Sequence, residues 1–166
     1  MNQILTYSGH LIDPFNPDID KINITDIAVS LSRQCRFGGH LRWFYTVAEH
    51  SLRVAAKLPD ELKLTGLLHD AAEAYLLDLP RPIKNRLPGY KEAEEHLLQL
   101  IMQKFGGIYP LPEEVIKADE DMLKWEFENV VKENLPSFPN YFASISYTTI
   151  NNIFIERFEK YSKNEE

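Results

Sequence analysis

Cysteine is almost missing from this chain of 166 residues. Cys35 stands alone, which excludes an internal disulfide framework and any zinc site built on clustered thiolates. Long apolar runs are missing too. None approaches the roughly 20 residues a membrane span requires, and the first residues lack the basic-then-apolar layout of a secretory signal. The expected setting is therefore cytoplasmic, with no membrane partner. Positive charge is in deficit: 18 Lys and Arg stand against 25 Asp and Glu, for a net charge of −7. That argues against a protein that coats a polynucleotide through its phosphates. What remains is ordinary for one folded domain, 44% hydrophobic and 26% charged. A chain of this size buries roughly two-thirds of its unfolded surface, enough to fold without staples.

The hydrophobic spacing predicts an all-α bundle of five to six main helices. Residues 1–22, rich in turn formers such as Gly9, Asp13, Pro14 and Pro17, read as an irregular arm with one short strand near residues 4–7. From residue 23 onward the chain reads as a single domain, with no repeat or composition shift. Ile24, Ile27, Ala28 and Leu31 recur at helical spacing after the candidate caps Asn23 and Thr25. Further helices are expected over residues 44–58, 61–77 and 91–105, the last ending at Gly106. Another should run from Pro112 toward residue 134, and a final one over 147–162. Residues 78–90, with three prolines, read as a loop.

Chemistry concentrates in the middle helices. His50 follows Val47 by three residues and precedes Val54 by four, which places it on the buried stripe. His69-Asp70 lies between Leu67-Leu68 and Ala71-Ala72, in the most apolar helix. An aspartate there is costly to bury unless a cation or several donors compensate it. Glu73 projects one turn further along the same groove. Asp119 falls four residues after Val115 and four before Leu123, nearest the buried side of its helix. Two imidazoles and two carboxylates suit a divalent cation: imidazole favours zinc, iron or cobalt, and carboxylates extend the set to manganese or magnesium. Arg33, Arg36, Arg42, Arg53 and Lys57, followed by Arg81, Lys84 and Arg86, form basic stretches on an acidic protein. That pattern fits a small phosphorylated substrate better than a polynucleotide. His40 and Arg42 lie close to the proposed pocket in sequence and are candidates to meet phosphate, whereas His10 and His96 read as surface residues.

The ordered set His50, His69-Asp70 and Asp119 resembles the HD-domain phosphohydrolases. The surrounding residues sharpen the likeness: Arg36-Phe37, Val47-Ala48-Glu49-His50-Ser51, Leu68-His69-Asp70-Ala71-Ala72-Glu73, Asp78-Leu79-Pro80-Arg81-Pro82-Ile83-Lys84 and Lys117-Ala118-Asp119. Together they are similar to small bacterial 5′-deoxynucleotidases and phage dATP triphosphohydrolases over about residues 26–126. The resemblance implies a helical bundle of the HD type in which His50, His69, Asp70 and Asp119 hold the metal. It implies that Glu73 orients or deprotonates the attacking water or helps protonate the leaving 5′-oxygen, and that Asp78 is a second catalytic carboxylate. It also implies that Arg36, Phe37, Pro82 and Lys84 contact the nucleotide, with Lys84 on phosphate. Phe37 stands where the family has a tryptophan that helps exclude a 2′-hydroxyl or select the base. The expected activity is hydrolysis of a deoxynucleoside triphosphate to nucleoside and tripolyphosphate. The alternatives are a 5′-deoxynucleotidase releasing phosphate and a non-catalytic, metal-stabilised nucleotide-binding module. Relatives of this kind assemble as dimers or hexamers, so the resemblance implies a homo-oligomer.

Overall fold

Helix α1, Ile24–Arg33, starts where the Asn23 side-chain oxygen accepts the Thr25 amide at 2.8 Å. This cap satisfies one of the amides that a helix start leaves without a partner. The computed structural model describes residues 2–41, 44–132 and 145–163, and over them the chain is all-α. Helix α2, Val47–Ala56, opens with a reciprocal cap: Thr46 Oγ1 accepts from the Glu49 amide at 3.1 Å, and Glu49 Oε2 accepts from the Thr46 amide at 3.0 Å. That pair sets the helix start at residue 47 rather than the expected 44. Six helices follow: α3 (Lys63–Leu68), α4 (Glu73–Leu76), α5 (Arg81–Lys84), α6 (Tyr90–Phe105), α7 (Glu113–Glu126) and α8 (Tyr147–Ser162). Helix α7 runs on into a wider π turn, Phe127–Lys132. Its expected end near residue 134, and the break at prolines 136 and 139, lie outside the described residues.

Three expectations need correction. The helix foreseen over residues 61–77 is two helices, α3 and α4, joined by a tighter turn. There Ala71, Glu73 and Ala74 donate to the carbonyls of Leu68, Asp70 and Ala71, three residues back, at 2.9, 3.0 and 3.2 Å. Three-residue spacing places side chains at i and i+3 over one another, so Asp70 and Glu73 face the same space. The loop foreseen over residues 78–90 contains α5, which Pro82 can join because a first-turn proline has no amide bond to lose. The arm is more ordered than expected. Strands β1 (Ile4–Leu5) and β2 (Leu11–Ile12) pair antiparallel, Ile4 opposite Ile12. The turn between them is tied to α1 by two bonds of 2.6 Å, from Ser8 N–H and Ser8 O–H to the Asp26 carboxylate.

The main core gathers Ile27, Leu31, Val47, Leu67, Leu68, Leu97, Ile101 and Phe154 from α1, α2, α3, α6 and α8. A smaller cluster, Val54, Leu58, Val115, Ala118 and Met122, seats α7 on α2. Gly66 lets α3 approach α2 closely: a Cβ there would stand 2.2 Å from Leu58 Cδ1 and 3.3 Å from the Ala55 Cα. These two contacts, α3 on α2 and α7 on α2, bring residues 50, 69, 70 and 119 together. No helix among the described residues is long and apolar enough to cross a membrane.

Candidate metal centre

Seen from α2, the centre is a seam with three walls. His50 is fully buried on α2, His69 and Asp70 come from the turn after α3, and Asp119 comes from the face of α7 that also carries Ala118 and Met122. His50 Nε2 lies 3.2 Å from His69 Nε2, 3.0 Å from Asp119 Oδ1 and 3.6 Å from Asp70 Oδ2. His69 Nε2 is 3.3 Å from Asp70 Oδ2 and 3.7 Å from Asp119 Oδ1. Nitrogen and oxygen ligands bound at about 2.1 Å around one dication stand roughly 3 to 3.5 Å from one another. His50, His69 and Asp119 therefore meet at close to the separations a shared cation imposes, with one Asp70 oxygen 3.3 and 3.6 Å from the two imidazoles.

The far side of each ring strengthens that assignment. His50 Nδ1 is 2.7 Å from Glu126 Oε1, an acceptor only, and His69 Nδ1 is 2.8 Å from the Gly66 carbonyl. Each Nδ1 must carry the proton and donate it. With those protons on Nδ1, the two Nε2 atoms face each other and two carboxylates, and a cation seated among them would meet four electron-rich atoms. Orienting an imidazole through its second nitrogen is the usual companion of metal ligation. His50, His69 and Asp119 form a group whose geometry could hold a metal ion, and Asp70 Oδ2 lies beside both imidazoles. Mixed imidazole and carboxylate donors suit manganese, iron, cobalt or zinc ahead of magnesium, which prefers oxygen throughout.

With no cation to balance them, the charges compensate through protons. Burial would lower the His69 pKa, but the Asp70 and Asp119 carboxylates outweigh it and hold the imidazolium well above its ordinary value. Burial likewise opposes ionisation of Asp70 and Asp119, and the two imidazoles overcome it, holding both carboxyls below the usual range.

Glu126 escaped sequence reasoning. It is fully buried at the end of α7 and binds three partners: His50, the Tyr45 hydroxyl at 2.6 Å and the Arg36 guanidinium at 3.1 and 3.2 Å. Its only sequence signal is position, four residues after Met122 on the buried face of the helix. Arg36, 8% exposed, also lies 3.5 Å from Asp70. It braces the ligand set from behind while lining the pocket.

That pocket, about 320 Å³, opens beside Asp70 and Asp119. Glu73, Asp78, Arg81 and Lys84 line it with Phe37, Leu79, Pro80, Pro82 and Leu123. Burial, then the nearby Asp70 and Asp78 charges, push the Glu73 carboxyl well above its usual range. Its Oε2 is buried without a hydrogen-bond partner, while Oε1 lies 3.3 Å from Lys84 Nζ. Burial also raises Asp78. Lys84 is shared between Glu73 and Glu94, the latter at 2.6 Å. Glu94 is a second residue the sequence reading missed.

The basic stretches converge in part: Arg36, Arg81 and Lys84 line the pocket, and others do not. Arg33 lies over the rings of Tyr7 and Tyr147, and Arg53 over Tyr45 and Trp125. His40 is exposed and outside the pocket lining. Arg42 lies outside the described residues. His10 and His96 are exposed, as expected.

No family model matches the chain. Over 126 residues, 76% of the chain, it is 43% identical to the uncharacterized protein YfdR of Escherichia coli K12, covering 71% of that protein. Over 121 residues, 67% of the chain, it is 33% identical to an uncharacterized protein of Rhodobacter capsulatus, covering 62% of that protein. At this identity and coverage, the chain belongs to the family of YfdR.

Proposed function

We propose that the chain is a metal-dependent phosphohydrolase acting on nucleotides. The observation that carries this reading is the juxtaposition of two imidazole Nε2 atoms and two carboxylates with a pocket holding Glu73, Asp78, Arg81 and Lys84. A divalent cation held by His50, His69, Asp70 and Asp119 supplies Lewis acidity toward a phosphoryl oxygen and lowers the pKa of water. The side chains do the rest. Phe37, Leu79, Pro80 and Pro82 offer an apolar wall to sugar and base. Arg81 and Lys84 face the non-bridging oxygens, and Asp78 orients the attacking water. Glu73, kept protonated by burial and by neighbouring acids, gives its proton to the leaving ester oxygen.

Charge favours a monophosphate over the triphosphate expected from sequence. The lining sets Asp70, Asp78 and Asp119 against Arg36, Arg81 and Lys84, and two of these cations are already in ion pairs, Arg36 with Asp70 and Glu126 and Lys84 with Glu94. Among the described residues, Arg81 is the lining cation without a carboxylate partner. A 5′-monophosphate asks least of such a wall.

The test is a screen of nucleoside and deoxynucleoside mono- and triphosphates with manganese, cobalt and magnesium, following orthophosphate and tripolyphosphate. Orthophosphate from monophosphates is expected, and its loss in Asp70→Ala together with metal retention. Tripolyphosphate would favour the triphosphohydrolase. Metal binding without turnover of any nucleotide would leave the non-catalytic module. In Glu73→Gln the metal should stay and kcat should fall about 10²–10⁴-fold; full activity there would remove Glu73 from its role.

A further inference from the structure

The carboxylates of Glu73 and Asp78 sit at the two ends of α4, and both ends are held by one side chain. Gln34 Nε2 donates to the Glu73 carbonyl at 2.9 Å and to Ser30 Oγ at 2.9 Å, while its Oε1 accepts the Asp78 amide at 3.0 Å. The orientation of the amide is fixed by its partners: the Glu73 carbonyl can only accept and the Asp78 N–H can only donate. Ser30 Oγ in turn donates to the Ala74 carbonyl at 2.8 Å. The backbone of Gln34 belongs to the same junction. As the C-cap of α1 it donates to the Ser30 carbonyl, and its own carbonyl accepts the Val47 amide, at the start of the helix that carries His50.

The turn it holds requires an anchor. Leu77, between the two acids, has φ 73° and ψ 149°, a conformation that glycine adopts and leucine resists. The Leu77 side chain is 57% exposed, so burial does not fix it; the Tyr90 hydroxyl donates to its carbonyl at 2.6 Å, and Gln34 holds the Glu73 carbonyl and the Asp78 amide on either side of it. Beyond it the chain runs directly into Asp78. We infer that Gln34 is the positioning residue of the two pocket carboxylates, setting the direction in which Glu73 and Asp78 enter the pocket by clamping the strained turn between them. Its role in turnover rests on the phosphohydrolase reading; its role in fixing the turn does not. Gln34 touches none of His50, His69, Asp70 and Asp119 through its side chain, so metal affinity is independent of it.

The experiment compares the full chain with Gln34→Met, which keeps the length of the side chain and removes all three bonds, and Gln34→Glu, which keeps an acceptor for Asp78 but offers Glu73 no donor. Three readouts are taken: Mn²⁺ affinity, hydrogen exchange at the Asp78 amide, and kcat and KM for the monophosphate that the wild type turns over best. In Gln34→Met, the Asp78 amide should lose its protection and kcat should fall about 10²-fold, the scale on which a small misplacement acts, while KM and Mn²⁺ affinity stay within about threefold. In Gln34→Glu, which also serves if the Met variant does not fold, the Asp78 amide should stay protected while kcat falls at least tenfold. Unchanged Asp78 exchange in Gln34→Met, or a kcat that falls only in step with Mn²⁺ loss in either variant, overturns the inference. A wild type that turns over no nucleotide defeats the phosphohydrolase reading instead, and the exchange measurement still decides whether Gln34 clamps the turn.

Discussion

Both oxygens of the Glu126 carboxylate are engaged, one by His50 Nδ1–H and the Tyr45 hydroxyl and the other by Arg36. These bonds fix the tautomer of His50 and neutralise Arg36, and they hold the Glu126 carboxyl ionised despite its burial. Glu126→Gln removes the negative charge that Arg36 needs and allows an amide N–H₂ to donate to His50 Nδ1, which would favour the other tautomer. Metal affinity should fall about 10–100-fold, the usual cost of losing a partner behind a ligating histidine, with all four ligands still present. A Mn²⁺ titration reads this directly, and unchanged affinity would mean that the tautomer of His50 does not matter to binding. At this scale the sequence was informative about ligands and silent about what supports them. His69-Asp70 within an apolar run announces an uncompensated charge, whereas Glu126 and Glu94 sit among many acids and gain meaning only from the residues that fold onto them. Arg36 shows the same limit: its identity is visible in the sequence, its two carboxylate partners are not.

Among the elements, the approach of α3 to α2 depends on Gly66. A methyl group there meets the flexible end of Leu58 and also the Ala55 backbone, which cannot move independently of its helix. Alanine favours a helix over glycine by about 1 kcal/mol, but overpacking at a helix contact costs about 1–3 kcal/mol. Gly66→Ala should therefore destabilise by up to about 2 kcal/mol in urea unfolding and weaken Mn²⁺ binding, since His50 and His69 stand on the two helices being pushed apart. A stabilised variant with wild-type affinity would show that the helix spacing is not under constraint. Helical spacing revealed α1, α6 and α8 nearly residue for residue, and α2 to within three residues at its ends, because each has one continuous apolar stripe. It did not reveal the tight turn between α3 and α4. Residues 69–72 keep helical backbone angles at both ends, His69 and Ala72, and their shift to three-residue bonding leaves the apolar pattern intact. The short α5 was hidden by its prolines, which mark a loop more often than a helical turn.

For the whole molecule, the centre links metal to protons. Without metal, the raised His69 value contributes stability fully present below about pH 6.5, the unfolded value, and lost as pH rises through the folded one. The lowered Asp70 and Asp119 values contribute stability present above about pH 3.9 and lost only as pH falls through their folded values. A dication replaces the proton on His69, so binding should release protons and strengthen as pH rises. At about 100 times Kd, Mn²⁺ should raise Tm by about 5–10 °C near neutral pH, with a smaller gain near pH 6 than near pH 8. A gain that shrinks toward alkaline pH would contradict this linkage. The all-α class was legible from the absence of alternating strands and from the helical stripes, whereas Arg36, Phe37, Asp78, Pro82 and Lys84 were assigned to the pocket through the family resemblance, because its walls come from segments far apart in the chain. The most direct measurement is anomalous diffraction from crystals grown with Mn²⁺. One strong peak should lie within about 2.4 Å of His50 Nε2 and His69 Nε2, with Asp70 and Asp119 oxygens completing the set. Crystals in which the two rings stay bonded to each other, or in which manganese collects elsewhere, would contradict the account.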